Sequence, residues 1–188
     1  KSIRKRLPQY KIQLLKTLEE YKNYPDEFKE VIKWFRTLPL YLDFKDFRVV
    51  HGAWDDNHIE TIRQYLQGET KLRKSFLKTY LINKELNTAL NELVKGKEFQ
   101  LPKDLLLKDN KGIIRRSFRI KWWEEIKGKT FKEIAFGNRF ELPDYTIPKE
   151  VIPEIIPYPS DAPSVFLGHY CLNKKSLIFQ QNICCIDT

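Results

Sequence analysis

Ser164-Val165-Phe166-Leu167-Gly168-His169-Tyr170-Cys171 is the stretch on which the reading of the fold turns. An apolar run of β-formers meets a glycine and then a histidine, a pattern that predicts a buried strand whose polar residue emerges where the strand ends. Phe47-Arg48-Val49-Val50-His51-Gly52-Ala53-Trp54-Asp55 repeats the pattern upstream, with a short β-branched run followed by a histidine beside a glycine. Two of the three histidines are therefore expected at strand ends. The carboxyl ends of strands in open α/β sheets are where ligands usually bind, and neutral imidazole is a common metal ligand. Taken singly, each histidine is as well explained by a local hydrogen bond at a strand edge.

Working outward, Leu40-Tyr41-Leu42-Asp43-Phe44 alternates and is separated by Lys45-Asp46 from Phe47 to Val50, which predicts a two-stranded hairpin. Asp55 or Asp56 is placed to cap a helix carrying Ile59, Ile62, Tyr65 and Leu66 on one side and ending at Gly68, with His58 on its solvent side. Helical spacing continues from Thr70 to Leu93, with a break expected near Asn83. Leu7 to Tyr21 forms an amphipathic helix by the same criterion, and Asp26 is expected to cap a second helix running to just before Thr37-Leu38-Pro39.

Leu105 to Leu107 and Gly112 to Ile120 suggest short strands, with Arg115, Arg116 and Arg119 set among apolar residues and Trp122-Trp123 following. Such a basic and aromatic cluster can stack on bases and hold phosphates, although buried tryptophans flanked by exposed arginines give the same pattern. Phe140 to Pro163 holds Pro143, Pro148, Pro153, Pro157, Pro159 and Pro163, so no helix or central strand can run through it and an extended surface connection is expected over 140–163.

The chain has 188 residues, 41% of them hydrophobic, enough for a core and for one domain over 1–188. Its 34 Lys and Arg against 25 Asp and Glu give a formal charge of +9, which favours anionic partners such as phosphate esters and nucleic acid. Lys1, Arg4, Lys5 and Arg6 are read as solvated charges and not as a nucleic-acid arm. No apolar run approaches the ~20 residues of a membrane helix, and no charged-then-apolar leader is visible. Cys184 and Cys185 lie side by side in an apolar stretch, where they read as small buried hydrophobes in a reducing cytoplasm.

The order Val50-His51-Gly52, then Phe166-Leu167-Gly168-His169-Tyr170, then Asn182-Ile183-Cys184-Cys185-Ile186-Asp187-Thr188 resembles the C-terminal half of calcineurin-like metallophosphoesterases, in the branch near phosphoprotein phosphatases and symmetrical dinucleoside tetraphosphatases. The resemblance covers Asp43 to Ile59 and Pro163 to Thr188. It implies a mixed α/β fold, part of a four-layer αββα sandwich, with a helical insertion over about 68–135. It also implies that His51 and His169 are ligands of the second metal of a dinuclear centre, with manganese, iron or zinc suited to mixed imidazole and carboxylate ligation. Asp55 and Tyr170 are placed beside that centre as candidate substrate-binding residues. Cys171 is read as structural. The implied substrate is a phosphorylated one, either a Ser/Thr phosphoprotein or a dinucleoside polyphosphate.

The family's Asp-x-His, Gly-Asp-x-x-Asp-Arg and Gly-Asn-His motifs are absent, and Gly137-Asn138-Arg139 has the wrong third residue and lies after His51. The catalytic residues are accordingly unassigned. The expectation is a fragment that has lost its N-terminal half-site and is inactive by itself. The alternatives are a basic nucleic-acid-binding module and a catalytically dead interaction domain.

Overall fold

A computed structural model describes residues 8–69, 71–103, 105–108, 112, 114–137, 141–170 and 178–187, with side chains from Lys11 onward. Lys1, Arg4, Lys5, Arg6 and Leu7, the side chain of Tyr10, Ile113, Asn138-Arg139, Cys171 and Thr188 lie outside the described residues. The chain divides into two compact units, Lys1–Pro39 with Glu60–Thr88, and Leu40–Ile59 with Ala89–Thr188.

The first unit is helical, built from α1 (Pro8–Glu20), α2 (Pro25–Phe35), the later part of α3 (Asp56–Leu66), α4 (Lys74–Ile82) and the opening of α5 (Lys84–Lys95). Asp26 does not cap α2 as expected. Pro25 occupies the first turn, where its missing N–H costs nothing, and Asp26 lies just inside, paired with Lys29 at 2.8 Å. The expected break at Asn83 is present. Its backbone is extended, and its side-chain oxygen accepts the Leu86 N–H at 2.8 Å, which starts a new helix in place of a continuation of α4. α3 runs out at Gln67 and Gly68, both with positive φ. The apolar faces foreseen for the first two helices exist but stay exposed at Leu15, Leu18, Ile32 and Phe35.

The second unit opens with the expected hairpin, β1 (Tyr41–Asp43) antiparallel to β2 (Phe47–Val50). After α5, β3 (Glu98–Gln100) pairs with β6 (Ser117–Arg119), and β4 (Leu107–Lys108) with β5 (Ile114–Arg115). A single turn, α6 (Phe131–Ile134), is closed by a capping box between Thr130 and Glu133. Phe99, Phe118 and Phe131 pack ring against ring, in a cluster that also holds Leu107, Ile120, Ile126, Ile134, Ala135 and Ile147.

Then come β7 (Ser164–Leu167), β8 (Ile178–Gln180) and β9 (Ile183–Cys185). β2, β7 and β9 run parallel, with β1 and β8 antiparallel at the edges, in the order β1-β2-β7-β9-β8. The fold is thus mixed α/β, as expected, and Val49-Val50 and Phe166-Leu167 are register neighbours. One face of the sheet buries Val50, Val165, Leu167, Ile183 and Cys185. The other carries a row across all five strands, Leu42, Val49, Phe166, Cys184 and Ile178, in which Leu42 and Ile178 are exposed and the rest half-buried. A sheet face turned to water normally alternates to polar residues; strands apolar on both faces are the pattern of a sheet covered on both sides.

The proline-rich segment is extended apart from a 3₁₀ turn at Lys149–Val151 and a turn closed by Ala162 N–H on the Pro159 carbonyl, but it does not simply lie over the surface as anticipated. Ile147 and Tyr158 are buried. Tyr158 donates to the Pro163 carbonyl at 2.8 Å and accepts from Arg48 at 3.0 Å, while the buried Asn182 amide donates to the Pro159 and Ala162 carbonyls. These bonds pin the connection against the strands that precede and follow it.

Candidate functional site

His51 follows the last residue of β2, and His169 follows β7 by one glycine. Because Val50 and Leu167 are parallel register partners, both histidines leave the sheet at the same edge, and their ring centroids lie 4.9 Å apart. A Cβ at Gly168 would meet the His51 ring at 3.5 Å, an ordinary van der Waals contact, so the approach does not itself require glycine there.

Each imidazole is held differently. His51 Nδ1 lies 2.5 Å from the carbonyl oxygen of Val94 in the last turn of α5. A carbonyl only accepts, so Nδ1 must carry the proton, and in the neutral ring Nε2 is left with its lone pair. A second-sphere carbonyl bonded to the far nitrogen is the usual support of a metal-ligating histidine. The same helix end grips the adjoining backbone. Gly52 N–H donates to the Leu93 carbonyl at 2.7 Å and Ala53 N–H to that of Glu92 at 3.2 Å, which also accepts from Gly96 N–H at 2.8 Å, so residues 51–53 engage three successive helix-end carbonyls. Only glycine permits this at position 52, because a Cβ would overlap the backbone nitrogens of Lys95 and Gly96.

His169 sits with φ of 59° at the centre of a tight turn closed by the Tyr170 N–H on the Gly168 carbonyl at 2.6 Å. A non-glycine residue in that region costs energy and persists only where its surroundings hold it. Its own N–H donates to Asp187 Oδ2 at 3.0 Å, and its carbonyl accepts from Arg119 Nη1 at 2.8 Å. Burial, and then the charges of Arg119 and His51, push the His169 imidazole down to about 4, so the ring is neutral at pH 7. The His169 ring is therefore in the form that binds a metal. Among the described residues, however, no group of three or more His, Cys, Asp or Glu side chains is assembled to hold an ion.

Asp55 and Tyr170, the residues placed nearby as substrate contacts, have other employment. Tyr170 is wholly buried, its hydroxyl against Gly96 and its ring against Trp123 and Phe136, so it props the site and presents nothing to solvent. Burial raises its phenol well above the ordinary value. Asp55 caps α3 through the Asn57 and His58 N–H groups and pairs with the buried Lys97 ammonium at 2.5 Å. Burial alone would raise its carboxyl, but the Lys97 bond and charge hold it below the usual range. His58 is not on the solvent side of α3 as anticipated; its Nδ1 lies 3.4 Å from Glu92 and 3.9 Å from Asp55. These groups line a cavity of about 360 Å³ whose apolar wall is Pro153, Ile155 and Ile156.

The residue that sequence reasoning missed is Asp187. It leaves β9 at the same edge as the histidines leave β2 and β7, whereas the sequence alone reads it as part of a closing strand; the strand-then-polar signal that singles out His51 and His169 is present in Cys185-Ile186-Asp187 too. Trp122 and Trp123 are buried, Trp123 stacked on Phe179 at 4.9 Å, so neither offers a ring face to a base. No helix among the described residues is long and apolar enough to cross a membrane.

No family model, curated protein or solved structure matches the chain.

Proposed function

We propose that this chain carries the second-metal half-site of a calcineurin-like metallophosphoesterase, and that the complete centre hydrolyses a phosphoester of a phosphoprotein or a dinucleoside polyphosphate. The observation that carries the reading is the delivery of two imidazoles, 4.9 Å apart, from the ends of adjacent parallel strands. His51 would offer Nε2, since its Nδ1 is engaged by Val94. His169 would offer a ring nitrogen from a backbone fixed on both sides. A pair of divalent ions, manganese, iron or zinc, would clamp the phosphate and supply a hydroxide nucleophile at neutral pH. The chain's own part is to hold two ligands at the ends of rigid strands and to keep His169 deprotonated.

The apolar row from Leu42 to Ile178 supports the sandwich architecture, because it is the surface that a second sheet would cover. The first-metal and proton-donating motifs are not among these 188 residues, so the chain alone is proposed to be inactive. Cys184 and Cys185, both free thiols, suit a reducing cytoplasm. The test is to read the gene upstream of Lys1 for Asp-x-His, Gly-Asp-x-x-Asp-Arg and Gly-Asn-His, then assay the full product for bound metal and for aryl phosphate hydrolysis with added manganese. His51→Ala or His169→Ala should each abolish most activity. A fully metallated and fully active His169→Ala protein would overturn the proposal.

A further inference from the structure

His169 is the one described non-glycine residue outside a helix end with positive φ, and its own N–H and carbonyl are both taken by partners distant in sequence. Asp187, beyond β9, takes its N–H, and Arg119, on β6, donates to its carbonyl. The Arg119 guanidinium also lies over the Tyr170 ring, 5.1 Å from its centroid, so it grips two successive residues of the turn. Its strand is fixed in turn by the Glu98↔Arg119 register pair and by Ile120 N–H on the Lys97 carbonyl at 3.1 Å. Lys97 and Glu98 come directly after the α5 turn whose Val94 carbonyl holds His51. One short stretch, residues 92–98, therefore reaches both imidazoles, the first directly and the second through Arg119.

We propose that Arg119 and Asp187 are positioning residues that clamp the peptide on either side of His169 and so hold its imidazole beside that of His51. The inference rests on the reading of this pair as the functional centre, but its geometric content stands apart from any metal. Removing either clamp frees the turn to relax towards negative φ, which swings the imidazole direction with it. The sheet itself does not depend on the clamp, since β2, β7 and β9 are paired by their own ladders.

The test uses the whole chain and nuclear magnetic resonance. In the parent protein, cross-relaxation should connect the His51 and His169 ring protons, and the His169 amide should exchange slowly. Arg119→Ala and Asp187→Ala should each lose the ring-to-ring signal while the circular dichroism spectrum stays unchanged. Asp187→Asn, whose amide oxygen can accept the same bond, should restore it. Should Arg119→Ala fail to fold, the Asp187 pair decides alone. Zn²⁺ alone, titrated into each protein, gives a second arm in which loss of a clamp weakens binding about 10-fold or more, as for other outer-sphere supports. Cross-relaxation between the rings that persists unchanged in both alanine variants overturns the inference. If that signal vanishes in the variants while the parent itself binds no Zn²⁺, the clamp is upheld and the result counts against the metal reading instead.

Discussion

His51 and His169 stand 4.9 Å apart, ring centre to ring centre, because Val50 and Leu167 are register partners on parallel strands. Under the proposed function they are two ligands of one ion and act as a unit, so their deletions should not be additive. In Zn²⁺ titrations followed by calorimetry, His51→Ala and His169→Ala should each weaken binding by ~10-fold or more, by analogy with the loss of supporting groups at metal sites, and the double variant should be little worse than either. Additive losses would indicate two separate weak sites.

Gly52 and Gly68 make a controlled comparison. A Cβ at Gly52 meets the backbone of the α5 end, which cannot rotate away, whereas at Gly68 nothing lies within 4 Å and only the φ of 79° is at issue. Gly52→Ala should cost near the top of the ~1–3 kcal/mol range for overpacking. Gly68→Ala should cost about 1 kcal/mol from backbone strain. Urea denaturation measures both, and equal costs would refute the close approach of residues 51–53 to the helix end.

Two carboxyls beside Lys97 should respond to pH in opposite senses. The Asp55 carboxyl is held below its ordinary value of 3.8, so its contribution is present above that pH and is lost as the pH falls through the lower folded value. Burial, offset in part by the charges of His58 and Lys97, raises the Glu92 carboxyl above 4.5, so its ionised form works against the fold near neutrality. Glu92→Gln should accordingly leave stability at pH 7 equal or higher, and Asp55→Asn should lower it. Thermal melts at pH 7 and pH 3 check both signs, and the Asp55→Asn deficit should narrow at the lower pH.

Phe118 stacks on Phe99 at 5.5 Å inside the cluster that α6 closes. Phe118→Ala should cost ~3–5 kcal/mol, as large deletions in packed interiors do. Because Arg119 is the next residue on the same strand, this variant should also loosen the His169 turn, seen as faster amide exchange there.

The hairpin from Leu40 to Val50, the break at Asn83 and the strand from Ser164 are legible in the sequence because each is decided within a few residues, by alternation, by a capping amide or by an apolar run ended at glycine. The pairing of β2 with β7 is foreseen only by asking two histidines to meet. What stays hidden depends on distant partners. Prolines in 140–163 announce an extended chain, but not that Arg48 and Asn182 draw Tyr158 and its neighbours inward. Helical spacing alone assigns His58 to water, because it carries no sign of the Glu92 and Asp55 carboxylates that flank it. Asp187 reads as part of a strand because its partner, the His169 N–H, is distant in sequence, although the strand-then-polar pattern of Cys185-Ile186-Asp187 does mark it.

The row of Leu42, Val49, Phe166, Cys184 and Ile178 also sets how the chain behaves as a colloid. In dilute buffer of low ionic strength, a formal charge of +9 keeps copies apart before their greasy faces can meet. At ~0.15 M salt the repulsion reaches only ~8 Å, about the depth of one side-chain layer, and the contest passes to the sheet face. Solubility should therefore fall as salt rises, the reverse of ordinary salting-in, and Phe166→Lys should be enough to change the sign.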